Sequence, residues 1–150
     1  MVLEYVESVV SRYYLDVIPP SWIGGPPKVK FFGKDSYVAF LWNILRFQHY
    51  HKFLDEAGVF KSPLNIVEIG PGYGAAAYNF VKCSNVNSYT LIDLPENLIN
   101  SYFFLLKNFD DWNVVLVDEN TPPSSEPKTF NFVSADRFYL LDNGVLFDLC

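Results

Sequence analysis

The fold of this 150-residue chain is decided by Leu64-Asn-Ile-Val-Glu-Ile-Gly-Pro-Gly-Tyr-Gly-Ala-Ala-Ala77. Its first six residues form a short apolar run with β-branched side chains, which is typical of a strand buried on both faces of a sheet. Gly70, Gly72 and Gly74 follow, and the small residues after them can begin a helix close to that sheet. A glycine turn before a helix N-terminus predicts a nucleotide-type ligand lying against bare backbone.

A carboxylate follows the next predicted strand. Tyr89–Ile92 reads as a short strand that ends at Asp93, roughly 20 residues after the glycines. Gly70-x-Gly72-x-x-Ala75 satisfies the dinucleotide fingerprint G-x-G-x-x-G/A, and a carboxylate at Asp93 can accept hydrogen bonds from both hydroxyls of a ribose. NAD(P) and S-adenosyl-L-methionine both contain this diol, so both ligands fit the pattern.

Two features of the loop favour S-adenosylmethionine. Glu68 lies two residues before the first glycine, where a dinucleotide-binding strand normally keeps an apolar residue. S-adenosylmethionine has a cationic amino group and a sulfonium near this turn, and it has no pyrophosphate. Gly74 adds a third glycine to the loop. The alternative is that Glu68 is a buried carboxylate capping local backbone; a partner is expected either way, because burying an unpaired carboxylate is costly.

These residues resemble the sequence motifs of a known class of enzymes. Val67–Gly74, followed by Leu91-Ile-Asp-Leu-Pro-Glu96, is similar to motifs I and II of class I S-adenosylmethionine-dependent methyltransferases. More narrowly, the chain resembles the sugar O-methyltransferase family through its Ile23-Gly-Gly25 loop, its aromatic helix before the glycines, and Phe147-Asp-Leu149 after Phe130–Ser134. The resemblance covers most of the chain after Trp22. It implies methyl transfer from S-adenosylmethionine to the hydroxyl of a small-molecule or glycan acceptor.

The resemblance also implies roles for individual residues. The residues that would line or bind the methionine part of the cofactor are Glu68, Gly70, Gly72, Tyr73 and Gly74. Asp93 would bind the ribose hydroxyls, and Leu94 would lie against the adenine. Asp136 would contact the adenine amine, although this position is equally consistent with a helix N-cap. No catalytic base and no metal-ligand cluster is assigned.

The predicted fold is α/β and Rossmann-like, with a mainly parallel sheet flanked by helices and preceded by an N-terminal helical segment. Residues 1–61 are predicted to form the helical cap, and residues 62–150 the cofactor-binding half. Phe147-Asp-Leu149 resembles the start of the fourth sheet strand, and full-length family members continue with further strands and helices. The sheet is therefore expected to be incomplete at its C-terminus, as in a truncated enzyme that lacks much of the acceptor pocket.

Two helices are predicted before the glycine loop. One spans Val2–Val17, and the other begins at Asp35 or Ser36 and ends near Ala57, with Gly58 as the terminating glycine. The core-facing stripe of the second helix is predicted to contain Phe40, Ile44, Phe47, Tyr50 and Leu54, and to be widened by Tyr37, Leu41 and Leu45.

His49 and His51 also belong to this second helix. They point roughly 200° apart, so they cannot share a metal ion. Both are predicted to be partly exposed surface residues, with a role as general base the alternative. Beyond Asp93, the predicted elements are a helix opened by Leu94-Pro-Glu96, a strand at Val114–Val117, an exposed loop at Asp118–Thr129, a strand at Phe130–Ser134, a helical turn at Arg137–Leu141 and a strand at Val145–Leu149.

The composition disfavours several other classes. Eleven basic against 17 acidic residues give a net charge of −6, which argues against a nucleic-acid surface. Cys83 and Cys150 lie far apart without a Cys-x-x-Cys pair, so neither a disulfide framework nor a zinc site is expected and a cytoplasmic location is predicted. The N-terminus lacks a signal-peptide pattern, and the charge-free apolar stretches Ser36–Leu45 and Asn97–Leu106 are too short to span a membrane.

Two alternatives to a methyltransferase remain at this point. An NAD(P)-dependent oxidoreductase domain would use the same fingerprint and the same carboxylate at Asp93. A non-catalytic remnant or scaffold would keep the fold without the activity. Cofactor binding by the folded chain distinguishes the three.

Overall fold

The structure, a computed structural model, describes residues 5, 8–10, 14, 28–142, 147 and 148. The chain divides into two units, a first unit of residues 1–59 and a second unit of residues 60–150. Most of the predicted helix Val2–Val17 and all of the loop at Ile23-Gly-Gly25 lie outside the described residues. The predicted strand Val145–Leu149 also lies outside them, apart from Phe147 and Asp148.

The first unit contains a β-hairpin followed by a long helix. Strands β1 (Lys28–Phe31) and β2 (Lys34–Tyr37) pair antiparallel, and helix α1 spans Val38–Glu56. Phe32 and Gly33 join the strands with φ values of 46° and 79°, as the two central residues of a type I′ hairpin turn require.

The predicted start of this helix at Asp35 or Ser36 is wrong. Both residues belong to β2, where Asp35 pairs with Lys30 across the hairpin and their side chains form an ion pair of 2.5 Å. Helix α1 begins at Val38 without a side-chain cap. Its predicted end is confirmed, because Gly58 has a φ of 74° and its N–H donates to the carbonyl of Asp55.

The core-facing side of α1 only partly matches the prediction, and Leu54, predicted to be in the core, is half-buried. Its buried residues are Phe40, Leu41, Ile44, Phe47, Gln48 and His51. Tyr50, predicted to be in the core, is 66% exposed. The buried face contains positions 44, 47, 48 and 51. Tyr50 therefore lies at the margin of this face, and the polar residues Gln48 and His51 point toward the core. Gln48 Nε2 compensates its burial by donating to the carbonyl of Val9 at 2.9 Å.

The second unit is a mixed α/β structure built on a four-stranded parallel sheet, as predicted. Its strands are β3 (Leu64–Ile69), β4 (Val86–Asp93), β5 (Asn113–Leu116) and β6 (Thr129–Ser134), in the spatial order β3-β4-β6-β5. The helices are α2 (Ala75–Cys83), α3 (Pro95–Asn108) and the 3₁₀ helix Ala135–Asp142; a single 3₁₀ turn, Val59–Lys61, precedes β3. Pro95 begins α3, where its missing N–H carries no penalty.

Strand β4 begins three residues earlier than predicted. Ser88 lies just before the predicted strand, yet it is 2% exposed and pairs with Asn65 of β3 and Thr129 of β6. Its Oγ donates to Asn65 Oδ1 at 2.9 Å. A buried serine is compatible with a central strand when its hydroxyl has a partner in the neighbouring strand.

Alternate residues of the strands form two cores on opposite faces of the sheet. On one face, Tyr78 of α2 packs with Phe104 of α3 and with Phe109, which directly follows α3, and Phe109 packs with Phe130 of β6, at ring-centroid distances of 5.3–5.7 Å. On the other face, the core consists of Val67, Ile92, Val117 and Val133, with Leu140, Leu141 and Phe147 packed against it. Most residues of β3, β4 and β6 are therefore buried on both faces, as the apolar run before the glycines predicted.

The segment at Asp148 lies along the outer edge of β3. The N–H of Asp148 donates to the carbonyl of Asn65 at 2.8 Å, and Asp148 Oδ2 accepts the N–H of Asn65 at 2.7 Å. These bonds lie on the side of β3 away from β4 and use backbone groups that an edge strand otherwise exposes.

Candidate functional site

The predicted site residues of the second unit lie close together at one end of the sheet's strands. Strands β3, β4 and β6 are parallel, so their carboxyl ends meet there. Glu68 lies one residue before the end of β3, the glycine loop follows, and Asp93 ends β4 opposite Ser134 of β6. Leu94 and Asp136 come directly beyond the same strand ends.

The glycine loop requires glycine for two different reasons. Gly70, Gly72 and Gly74 have φ values of 75°, 57° and 87°, in the left-handed region that other residues rarely adopt. A Cβ at Gly70 or Gly72 would meet no protein atom within 4 Å, so the loop surface is open there. A Cβ at Gly74 would lie 3.2 Å from Leu105 Cγ and 3.3 Å from Ser101 Cβ. Gly74 thus allows α2 to pack closely on α3.

The N–H groups of the three glycines are all used inside the protein. Gly70 donates to the carbonyl of Ile92 at 2.8 Å, and Gly74 donates to the carbonyl of Pro71 at 2.9 Å. Gly72 donates to Asp93 Oδ2 at 3.3 Å. The loop therefore presents open backbone surface without offering its glycine N–H groups to a phosphate.

Asp93 is held by donors from both flanking segments. Its Oδ1 accepts the N–H of Leu94 at 2.8 Å and Nδ2 of Asn97 at 2.9 Å, while Oδ2 accepts only the longer bond from Gly72. Partial desolvation raises the pKa of Asp93, but the bonds from Asn97, Leu94 and Gly72 outweigh it and lower the pKa below its usual value. The carboxylate stays ionised, and Oδ2 is the oxygen with room for another donor.

Glu68 is largely buried and has a side-chain partner. Tyr89 Oη donates to Glu68 Oε2 at 2.9 Å, so the expectation of a partner is confirmed. Burial raises the pKa of Glu68 to about 7; the bond from Tyr89 opposes this shift, and the charge of Asp93 adds to it. Near neutral pH, Glu68 is balanced between its charged and neutral forms.

Sequence reasoning missed Tyr89 and Asn97 as parts of this site. Tyr89 is 1% exposed in the middle of β4, and a buried tyrosine hydroxyl needs a partner. Leu91 pairs with Glu68, so Tyr89, two residues earlier on the same face, is its diagonal neighbour. Asn97 follows Asp93 by four residues, a spacing that brings side chains together in the first turn of a helix.

The remaining predicted residues have distinct surroundings. Leu94 is 51% exposed at the end of β4. The ring of Tyr73 meets that of Phe104 edge-to-face at a centroid distance of 5.5 Å, so it packs on α3. Asp136 is exposed in the first turn of the 3₁₀ helix and accepts a hydrogen bond from the hydroxyl of Ser134.

The two histidines of α1 differ from each other. His49 is exposed, as predicted. The prediction for His51 is wrong: it is buried, and its Nδ1 lies 3.2 Å from Tyr14 Oη. The N-terminal tyrosine supplies a polar partner that the helix pattern alone cannot reveal. Within the described residues, no group of three or more histidine, cysteine or acidic side chains is arranged to hold a metal ion.

The chain matches no protein-family model, no curated protein and no solved structure. The interpretation of its function therefore depends on the residues of the site. Of the helices in the described ranges, none combines the length and the apolar composition needed to cross a bilayer.

Proposed function

We propose that this chain binds S-adenosylmethionine at the carboxyl ends of β3 and β4 of a Rossmann-like sheet, as the donor site of a methyltransferase that acts on a sugar hydroxyl. The observation that carries the proposal is the pair of carboxylates, Glu68 and Asp93, beside a glycine loop with open backbone at Gly70 and Gly72. The sugar acceptor follows from the sequence resemblance.

The residues present fit this cofactor. Glu68 would bind the amino cation, because a nearby positive charge favours the ionised form of a buried carboxylate. Asp93 Oδ2 would accept a ribose hydroxyl, and exposed Leu94 would offer apolar surface to the adenine. The open backbone at Gly70 and Gly72 would let the methionine part approach closely.

The chemistry divides between the cofactor and the protein. When bound, S-adenosylmethionine supplies a methyl group made electrophilic by its sulfonium. The residues of this chain would orient the donor through Glu68 and Asp93. The acceptor hydroxyl must also lose a proton, and none of the described residues is assigned that role.

Two features disfavour the NAD(P) alternative. The pyrophosphate of a dinucleotide is usually bound by backbone N–H groups, but those of Gly70, Gly72 and Gly74 already have acceptors. When ionised, Glu68 would also repel a pyrophosphate placed at the loop. Neither feature opposes a cofactor that has an amino cation and no phosphate.

Equilibrium dialysis with radiolabelled S-adenosylmethionine and, separately, NAD tests the proposal. We expect saturable binding of S-adenosylmethionine that Glu68→Gln and Asp93→Asn each weaken about tenfold or more, because each removes a charge-assisted interaction. The matched controls are Glu126→Gln and Asp110→Asn, the same chemical changes at exposed positions before β6 and β5, at the other end of the sheet. Both controls should bind like the wild type.

Other outcomes would favour the alternatives. Saturable NAD binding without S-adenosylmethionine binding would support an oxidoreductase domain. If the chain has the circular dichroism of a folded α/β protein and binds neither cofactor, a non-catalytic scaffold is supported. Once binding is established, transfer of a radiolabelled methyl group to a panel of free sugars and glycosides tests the acceptor.

A further inference from the structure

A second concavity, with a volume of about 500 Å³, lies between α3 and the β5–β6 side of the sheet. One wall is formed by apolar residues of α3, among them Leu98, Ile99 and Phe103. The sheet contributes Leu116 and Phe132 to the floor. The volume is in the range of small-molecule binding sites, roughly 300–1,000 Å³.

The concavity concentrates exposed apolar side chains. Ile99, Phe103 and Leu116 are 56%, 54% and 62% exposed, although each is large and apolar. Single exposed apolar residues are common on protein surfaces, but a group around one concavity marks a binding surface. The helix α3 is consequently apolar both toward the sheet and toward this concavity.

One charged side chain, Arg137, lies in the otherwise mostly apolar lining. It forms an ion pair with Glu119, at 3.9 Å between Nη1 and Oε2, which is too long for a hydrogen bond, and its positive charge also interacts with Asp118. Glu119 also accepts a bond of 3.3 Å from Tyr139 Oη, so its charge is shared. A guanidinium carries five N–H donors in a planar fork that matches a carboxylate.

We propose that this concavity binds amphipathic carboxylates, with an apolar body against α3 and Leu116 and the carboxylate at Arg137. The apolar walls would contact the apolar body of the ligand, and the guanidinium would bind its carboxylate. Neither the two site carboxylates nor the glycines line the concavity, although it adjoins the proposed cofactor site through Pro95, which follows Leu94, and Ser134, which pairs with Asp93. The inference therefore does not depend on the proposed function.

Isothermal titration calorimetry with decanoate and decanol tests this site. The two probes have the same chain length and differ in the head group. We expect decanoate to bind one site per chain more tightly than decanol. Arg137→Gln should weaken decanoate about tenfold, because it removes a charge-assisted contact, and change decanol less than twofold. Arg46→Gln, the same substitution at an exposed position of α1, should change neither affinity.

A second variant keeps the test decisive if Arg137→Gln does not fold. Ile99→Glu places a negative charge in the concavity at a position exposed enough to tolerate it, and it should abolish decanoate binding. Equal affinity for the two probes, or decanoate binding unaffected by Ile99→Glu, would overturn the proposal. So would a dimer in sedimentation velocity that Ile99→Glu dissociates while decanoate does not bind, since the concavity would then join two copies of the chain.

Discussion

Tyr89 of β4 donates a 2.9 Å hydrogen bond to Glu68 of the neighbouring strand β3, and both side chains lie on the face of the sheet that α2 and α3 cover. The bond fixes one oxygen of a carboxylate whose pKa burial raises to about 7. Burial, followed by the charge of Glu68 and then by this bond, raises the pKa of Tyr89 well above its usual value, so the tyrosine remains the donor. If Glu68 binds the amino cation as proposed, this pair would make cofactor binding depend on pH.

S-adenosylmethionine binding should therefore strengthen as the pH rises from 6 to 7. Glu68 with a pKa of about 7 goes from about one-tenth to about one-half ionised over this range, so the affinity should rise about fivefold. Equilibrium dialysis at several pH values measures this change. Glu68→Gln should bind weakly with little pH dependence; an unchanged pH profile in this variant would assign the titration to another group.

Tyr89→Phe should shift the pH dependence of S-adenosylmethionine binding to higher pH. The hydrogen bond from Tyr89 stabilises the ionised form of Glu68, so removing it should raise the pKa of Glu68 by about one unit. The midpoint of S-adenosylmethionine binding against pH should shift by the same amount. Tyr50→Phe removes an exposed hydroxyl from α1 and should leave the midpoint unchanged. A purely structural role for Tyr89 would lower the affinity equally at all pH values.

The stability of the free chain should show the opposite dependence on pH. Glu68 binds its proton more tightly in the folded state, so its contribution to stability is fully present below about pH 4.5 and is lost as the pH rises through about 7. Glu68→Gln imitates the neutral acid at every pH. In urea unfolding, the free energy of unfolding of this variant relative to wild type should increase between pH 5 and pH 8 by on the order of 3 kcal/mol. The exposed control Glu126→Gln should show no such trend.

The order of elements in the second unit was predictable because its signals are local. These signals are a β-branched run, three glycines, Pro95 at the start of a helix and strands of apolar residues. Each of them depends only on residues that are neighbours in the sequence. The helices between β3, β4 and β5 predict parallel strands, and β6 is also parallel although no helix separates it from β5. The proximity of Glu68, the glycines and Asp93 was predictable as well, because parallel topology brings the carboxyl ends of the strands together.

The missed features all depend on partners in another element of the structure. Ser88 lies within a strand because Asn65 accepts its hydroxyl, and His51 is buried beside Tyr14. Asp35 has the composition of a helix cap, but pairing with Lys30 places it in a hairpin. The sequence predicted the helical spacing of the buried residues of α1 correctly, but it did not predict which side of the helix is fully buried. Polar side chains with distant partners can occupy core-facing positions.

The last prediction distinguishes two roles of glycine in the loop, an open surface at Gly72 and close helix packing at Gly74. Gly72→Ala and Gly74→Ala introduce the same methyl group at positive φ values of 57° and 87°, and each should cost about 1–2 kcal/mol of backbone strain. Only the methyl at residue 74 also meets protein atoms, Leu105 Cγ at 3.2 Å and Ser101 Cβ at 3.3 Å, which should add about 1–3 kcal/mol of overpacking. Urea unfolding should therefore show Gly74→Ala to be the less stable variant.

Binding should rank the same two variants in the opposite order. The methyl at residue 72 projects into the open surface where the cofactor is proposed to lie, so Gly72→Ala should lose more S-adenosylmethionine affinity than Gly74→Ala under conditions in which both are folded. Gly33→Ala, at a φ of 79° with no atom within 4 Å, provides the control for backbone strain in the first unit. Equal destabilisation and equal affinity for the two loop variants would contradict this division, because both glycines would then serve only the turn.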